Sequence, residues 1–161
     1  MAISYRVEIK NLKELQSQFR KAPEIASKRI IEAGNKSLLS LQGTAKQLSP
    51  IDSGRLRQSI LVSPMRQSGS SFTGSVGTNV KYAGIQEAGS GIYGPSGQPI
   101  RPKSKKVLAF RGKGGKMVFA KSVKGVRGRF YMKGSVEQNQ RAIDGFFEEA
   151  VTNITKDLST T

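Results

Sequence analysis

Pro23 to Pro50 reads PEIASKRIIEAGNKSLLSLQGTAKQLSP. Ala26, Ile30, Ala33, Leu41, Ala45 and Leu48 recur at helical spacing along one stripe, with Ile31 and Leu38 beside it. Pro23 stands where the first turn of a helix tolerates a missing N–H. Ser49-Pro50 ends the pattern, because the residue before a proline is pushed out of helical geometry. The stretch therefore predicts one long amphipathic helix over 23–48. Gly34 and Gly43 weaken that helix and mark it for a kink or close packing. An apolar stripe of this length needs a surface to cover it, and the flanking sequence supplies strands.

Upstream, Ser4–Lys10 alternates, with Tyr5, Val7 and Ile9 on one face and Arg6, Glu8 and Lys10 on the other. Asn11 follows as a cap for a short helix over Leu12–Phe19. Downstream, Ile51-Asp52-Ser53-Gly54 reads as a turn, with Asp52 or Ser53 capping one helical turn through Leu56. Ile60–Met65 and Phe72–Gly77 read as two strands of a hairpin, linked by the polar Arg66–Ser71. Tyr82–Ala88 suits one helical turn. The Gly- and Pro-rich 89–105 region reads as a long mobile loop. Val107–Phe110 and Met117–Val123 form a second hairpin around Gly112–Gly115, and Arg129–Lys133 reads as a short aromatic strand. From Ser135, paired with Gln138 as in a capping box, a second long helix carries Ile143, Phe146 or Phe147, Ala150, Ile154 and Leu158, and frays after 158. The order gives an α+β fold: an antiparallel meander sheet with hairpins, packed against one N-terminal and one C-terminal long helix. Its 161 residues suit a single domain over 1–161.

The formal net charge is +16. Twelve Lys and Arg lie between Ala88 and Val136 without one Asp or Glu, so the stretch calls for a polyanion or an acidic protein surface. The chain has no Cys and no His, which removes disulfides, thiolate metal sites and the commonest general base. No N-terminal apolar region resembles a signal peptide, and no apolar run reaches membrane-spanning length. Gly89–Gly94 matches GxGxxG in letters, but Pro95 follows and no acid appears before Glu137, so a plain loop is the better reading. Arg127-Gly128-Arg129-Phe130-Tyr131 resembles an RNA-binding strand only loosely, and core-facing aromatics explain it better. Asp52 and Glu87 stand alone as acids of the strand region, with bland roles as a cap and an Arg partner. No catalytic, cofactor or metal site emerges. Arg101, Lys103, Lys105, Lys106, Arg111, Lys113, Lys116, Arg127 and Arg129 are the candidate contacts to a partner or to DNA.

Three segments together resemble a known family. Ser49–Ile60, SPIDSGRLRQSI, is similar to its P-x-D/T-S/T-G-x-L-R-x-S-I signature, carried here by Pro50, Asp52, Gly54, Leu56, Arg57 and Ser59. Val76–Gly89, VGTNVKYAGIQEAG, is similar to V-G-x-x-x-x-Y-A-x-x-x-E-x-G, carried by Tyr82, Ala83, Glu87 and Gly89. Lys106–Phe110, Val118–Val123 and Gly128–Phe130 follow its L-x-F…V…P-x-F ending, with Phe110 and Phe130 in place and Arg129 where the family has Pro. The set resembles the small neck, tail-completion, head–tail joining or minor tail proteins of long-tailed bacteriophages and prophages. The resemblance implies a structural virion protein rather than an enzyme, at the neck or tail end. It implies neck, portal and tail proteins as partners, and a homo-oligomeric ring, sixfold like the tail, built from a monomer made in the host cytoplasm. DNA passing through the channel is a further implied partner; a membrane is not. In that setting Gly54 makes the turn, Leu56 and Ile60 anchor it, Tyr82 and Ala83 sit at the sheet edge, and Glu87 faces an Arg such as Arg57. The alternative reading is a non-specific nucleic-acid-binding protein using the basic 101–133 region.

Overall fold

The computed structural model describes residues 3–8 and 23–159. Strand β1 (Ile3–Glu8) precedes helix α1 (Pro23–Leu48). Helix α2 (Arg55–Ser59), strands β2 (Leu61–Ser68) and β3 (Ser71–Thr78) and helix α3 (Ala83–Ala88) follow. Strands β4 (Leu108–Arg111) and β5 (Met117–Ala120) then lead into helix α4 (Tyr131–Ser159). The α+β expectation holds. The helix expected over Leu12–Phe19 and the end of the first strand at Ile9-Lys10 lie outside the described residues.

The sheet is not one meander. Strand β3 is central, in the order β1-β3-β2, and β4-β5 forms a separate two-stranded ribbon. The β1 register runs from Ile3 opposite Thr78 to Glu8 opposite Thr73. Along β3, Phe72, Gly74, Val76 and Thr78 are buried while Ser71 and Thr73 are exposed, the alternation of a strand with one covered face. The register of β2 against β3 shifts between Ser63 and Arg66. Pro64 sits in that shift, where it has no N–H to offer and so blunts an open sheet edge.

Helix α1 covers the sheet with the predicted stripe. Ile30, Leu38, Leu41 and Ala45 are buried together with Leu56, Ile60, Met65, Phe72, Val76 and Val80. The approach is close. A Cβ at Gly34 would stand 2.6 Å from Met65 Cγ, and one at Gly74 would stand 2.5 Å from Leu38 Cδ1. Polar side chains of α1 then satisfy the strand. Asn35 Oδ1 accepts from Met65 N at 2.8 Å, and Gln42 Nε2 donates to Ile60 O at 2.8 Å. They give the Met65 amide on β2 and the Ile60 carbonyl just before it their side-chain partners.

Helix α4 lies along α1 and joins the core through Tyr131 and Met132. The two helices share a polar seam as well as Ile143, Ala150 and Ile154. Asn139 Nδ2 donates to Thr44 Oγ1 and to Ser135 O, both at 2.8 Å, and Ser40 Oγ donates to Asn139 Oδ1. At the far end Arg29 bridges Asp157 at 2.8 Å and Glu32 at 3.1 Å. The hydrogen bond to Asp157, then that to Glu32, holds the Arg29 guanidinium above its ordinary pKa. Among the described residues no helix is long and apolar enough to cross a membrane.

Candidate functional site

The first two motif segments meet in space. Pro50, Ile51, Asp52, Ser53, Gly54, Arg55 and Leu56 line a cavity of about 270 Å³ whose other wall is Tyr82 and Gln86. Gly54 makes the turn at φ 78°, a left-handed conformation that glycine adopts without penalty. Leu56 and Ile60 are buried and anchor the turn as expected. The cap differs from expectation: Gly54 itself occupies the N-cap of α2, without a side-chain cap bond, and both Asp52 and Ser53 are exposed. Arg57 Nη2 reaches Gln47 O at 3.3 Å and Ser49 O at 3.4 Å, tying the turn to the end of α1. Ser59 Oγ donates to Leu56 O at 2.8 Å and lies 2.6 Å from Thr78 Oγ1, joining α2 to β3. Tyr82 and Ala83 are not on the sheet edge. Ala83 opens α3 in full burial, and Tyr82 caps that helix with its ring part-exposed toward the cavity.

Glu87 has a role that the sequence reading missed. Its side chain is 7% exposed. Its Oε2 accepts from Met132 N at 2.9 Å, and its Oε1 accepts from Lys133 N at 3.0 Å. The carboxylate thus caps the first turn of α4, where backbone N–H groups have no partner within the helix and the dipole favours negative charge. This is why α4 begins at Tyr131, so the expected strand Arg129–Lys133 is absent. Ser135 is likewise no capping-box residue: inside the helix, its Oγ donates back to Met132 O at 2.7 Å.

The glycines of the 89–94 stretch are also explained. The chain at 86–92 runs beside the chain at 124–130. Ser90 N donates to Val126 O at 2.8 Å, Ile92 N to Lys124 O at 2.9 Å, Arg129 N to Gln86 O at 2.7 Å and Phe130 N to Glu87 O at 3.0 Å. Ile100 and Val123 add an isolated antiparallel bridge. A Cβ at Gly91 would lie 2.2 Å from Lys124 O, and one at Gly125 would lie 2.1 Å from Ser90 O. Only glycine lets two backbones approach this closely. The clasp, with Glu87 inside it, locks α3 to the entry of α4. Phe130, at its end, takes φ 51° and is 51% exposed, so it is not the core-facing aromatic expected. Arg127 stacks over the Tyr93 ring at 5.1 Å.

Beyond the clasp the basic residues stand clear of the core. Arg101, Lys103, Lys105 and Lys106 are exposed on the connection into β4, Arg111 ends that strand, and Lys116 precedes β5. Lys113 sits in the turn between them. Arg127 and Arg129 are exposed on the clasp. Among the described residues no ion pair joins Arg101, Lys103, Lys105, Lys106, Arg111, Lys116, Arg127 or Arg129 to a carboxylate, whereas Arg29 pairs with Glu32 and Asp157, Lys36 with Glu149, and Lys133 with Glu137. Phe110 lies on the same ribbon, exposed. Among the described residues no group of side chains could hold a metal ion.

Residues 13–89 match the family model HK97-gp10_like, described as "Bacteriophage HK97-gp10, putative tail-component". Over that span, a little under half of the chain, the sequence is similar to that family. The match takes in both segments that line the cavity and ends at Gly89, so the clasp's second strand, the basic ribbon and α4 lie beyond it. It is consistent with a phage neck or tail-completion family and supports a structural role in a phage tail. No curated protein and no solved structure matches the chain.

Proposed function

We propose that this protein is a structural subunit of the phage neck or tail end. It joins head to tail, or completes the tail for joining, as one member of a ring, with no catalytic role of its own. Its partners are the portal, neck and tail proteins around it. It is made in the host cytoplasm as a subunit that is monomeric when dilute and associates as its concentration rises, and it ends in the virion. One observation carries the reading: a well-packed core, similar over residues 13–89 to the HK97-gp10-like family, bears a ribbon, 107–120, on which Phe110, Met117, Val118 and Phe119 are exposed and Arg111 and Lys116 form no ion pair among the described residues. A surface of that kind is finished only by docking. Deleting the gene from its phage is expected to leave filled heads and free tails side by side in electron micrographs. Infectious, joined particles from the deletion strain would refute the reading.

The unpaired cations also support a second reading, non-specific contact with DNA through residues 101–133. It predicts duplex binding that weakens steeply with salt, as counterion release requires. Replacing Lys105, Lys106, Arg111 and Lys116 by Gln is expected to flatten that salt dependence; an unchanged slope would count against phosphate contacts here.

A further inference from the structure

The ribbon of β4 and β5 is what the fold leaves uncovered. Its strands pair with each other, Ala109 opposite Phe119 and Arg111 opposite Met117. These four residues share one face, and Leu108, Phe110, Val118 and Ala120 share the other. Phe119 is 67% exposed and Met117 54%. A lone two-stranded hairpin is marginal in water, and phosphate groups offer nothing to Phe119 or Met117. The side chains therefore fit a protein surface that is acidic and partly apolar.

Such a surface exists on this chain. On the outer side of α4, Asp144 and Glu148 stand one turn apart and exposed. Glu137, Glu149 and Asp157 are paired with Lys133, Lys36 and Arg29, whereas Asp144 and Glu148 form no ion pair among the described residues. The floor beside them is low. A Cβ at Gly145 would meet nothing within 4 Å, and Val151, exposed and seven residues on from Asp144, continues the face. Arg141, three residues before Asp144, is the cation nearest them in the sequence.

We propose that the β4–β5 ribbon of one copy lies across the outer face of α4 of a second copy. Arg111, on the same face as Met117 and Phe119, meets Asp144 and Glu148 together with the long side chain of Lys116 reaching round from the ribbon's turn, and Met117 and Phe119 cover Gly145 and Val151. The contact joins two different patches, so it propagates head to tail and closes into a ring when the rotation allows. It rests on the ring reading above. It also answers a physical difficulty of that reading, since copies carrying +16 each repel one another unless cations of one meet acids of the next.

The test uses the full-length protein in sedimentation velocity at low salt. Wild type, R111E/K116E and D144K/E148K are run alone, and the two variants are run mixed. All four positions are exposed, and unchanged circular dichroism checks the fold. Each variant alone is expected to self-associate roughly tenfold or more weakly than wild type. The mixture recovers association, because each reversed patch then meets a complementary one. Wild-type oligomers that neither variant weakens would overturn this contact while leaving the ring reading intact, which gene deletion tests separately. A wild type that stays monomeric at its highest soluble concentration, or variants that lose duplex DNA binding and no self-association, would also overturn it.

Discussion

Glu87 is the residue on which the most structure depends. It takes two backbone N–H groups of the first turn of α4, that of Met132 buried and that of Lys133 part-buried, which have no acceptor within the helix. Glu87→Ala removes both bonds and is expected to cost about 2 kcal/mol, from the cap and from the amides left unpaired. For a chain of this size that is a melting temperature lower by roughly 5 °C. Glu87→Gln keeps one acceptor oxygen and should lose about half as much; equal losses would mean that charge rather than hydrogen bonding sets the value. Two glycines of α1 make a sharper pair. Both look like weak points of one helix, yet Gly43 faces open space while a Cβ at Gly34 would press on Met65. Gly43→Ala is expected to stabilise by about 0.5–1 kcal/mol. Gly34→Ala is expected to destabilise, because Met65 must leave a filled core. Urea midpoints of the two variants should move in opposite directions.

The elements divide by where their determinants lie. Helix α1 and the β2–β3 hairpin were legible because periodicity, a proline at each end of the helix and a polar turn are local signals. The start of α4 was not legible. Its cap is supplied from Glu87, distant in the chain, and Ser135 with Gln138 imitates the local version. The glycines of 89–94 were read as loop for the same reason, since the backbone they make room for is at 124–126 and no spacing rule reports it. The two motif segments were visible as letters, but the cavity they share appears only when α2 and α3 are placed side by side. The β4–β5 hairpin was predicted from its turn, while its lack of a covering face needed the fold. That last point can be checked at this scale. Replacing 107–120 by a short Gly-Ser link removes a ribbon whose strands bond only to each other. The unfolding free energy is expected to stay within about 0.5 kcal/mol, as for surface changes that touch no core contact. A larger loss in urea titration would show that the ribbon holds the fold as well as offering a surface.

At the scale of the whole molecule, two electrostatic effects compete. The ion pairs described are all at least one-third exposed at their side chains, and such pairs contribute about 0–1 kcal/mol each. Against them stands a formal charge of +16, with twelve cations between Ala88 and Val136 and no acid among them. Salt weakens both effects, because the screening length falls to about 10 Å at 0.1 M. The ion pairs are short and few, whereas the repulsion sums over many cations spaced around or beyond that length. Screening should therefore remove more repulsion than attraction. The melting temperature is expected to rise between low salt and about 0.3 M NaCl, measured by calorimetry at a concentration too low for self-association. A melting temperature that falls with salt would mean that the pairs along α1 and α4 outweigh the surplus charge. The isolated subunit would then carry its cations at no cost, and the need for an acidic neighbour would lose its thermodynamic basis.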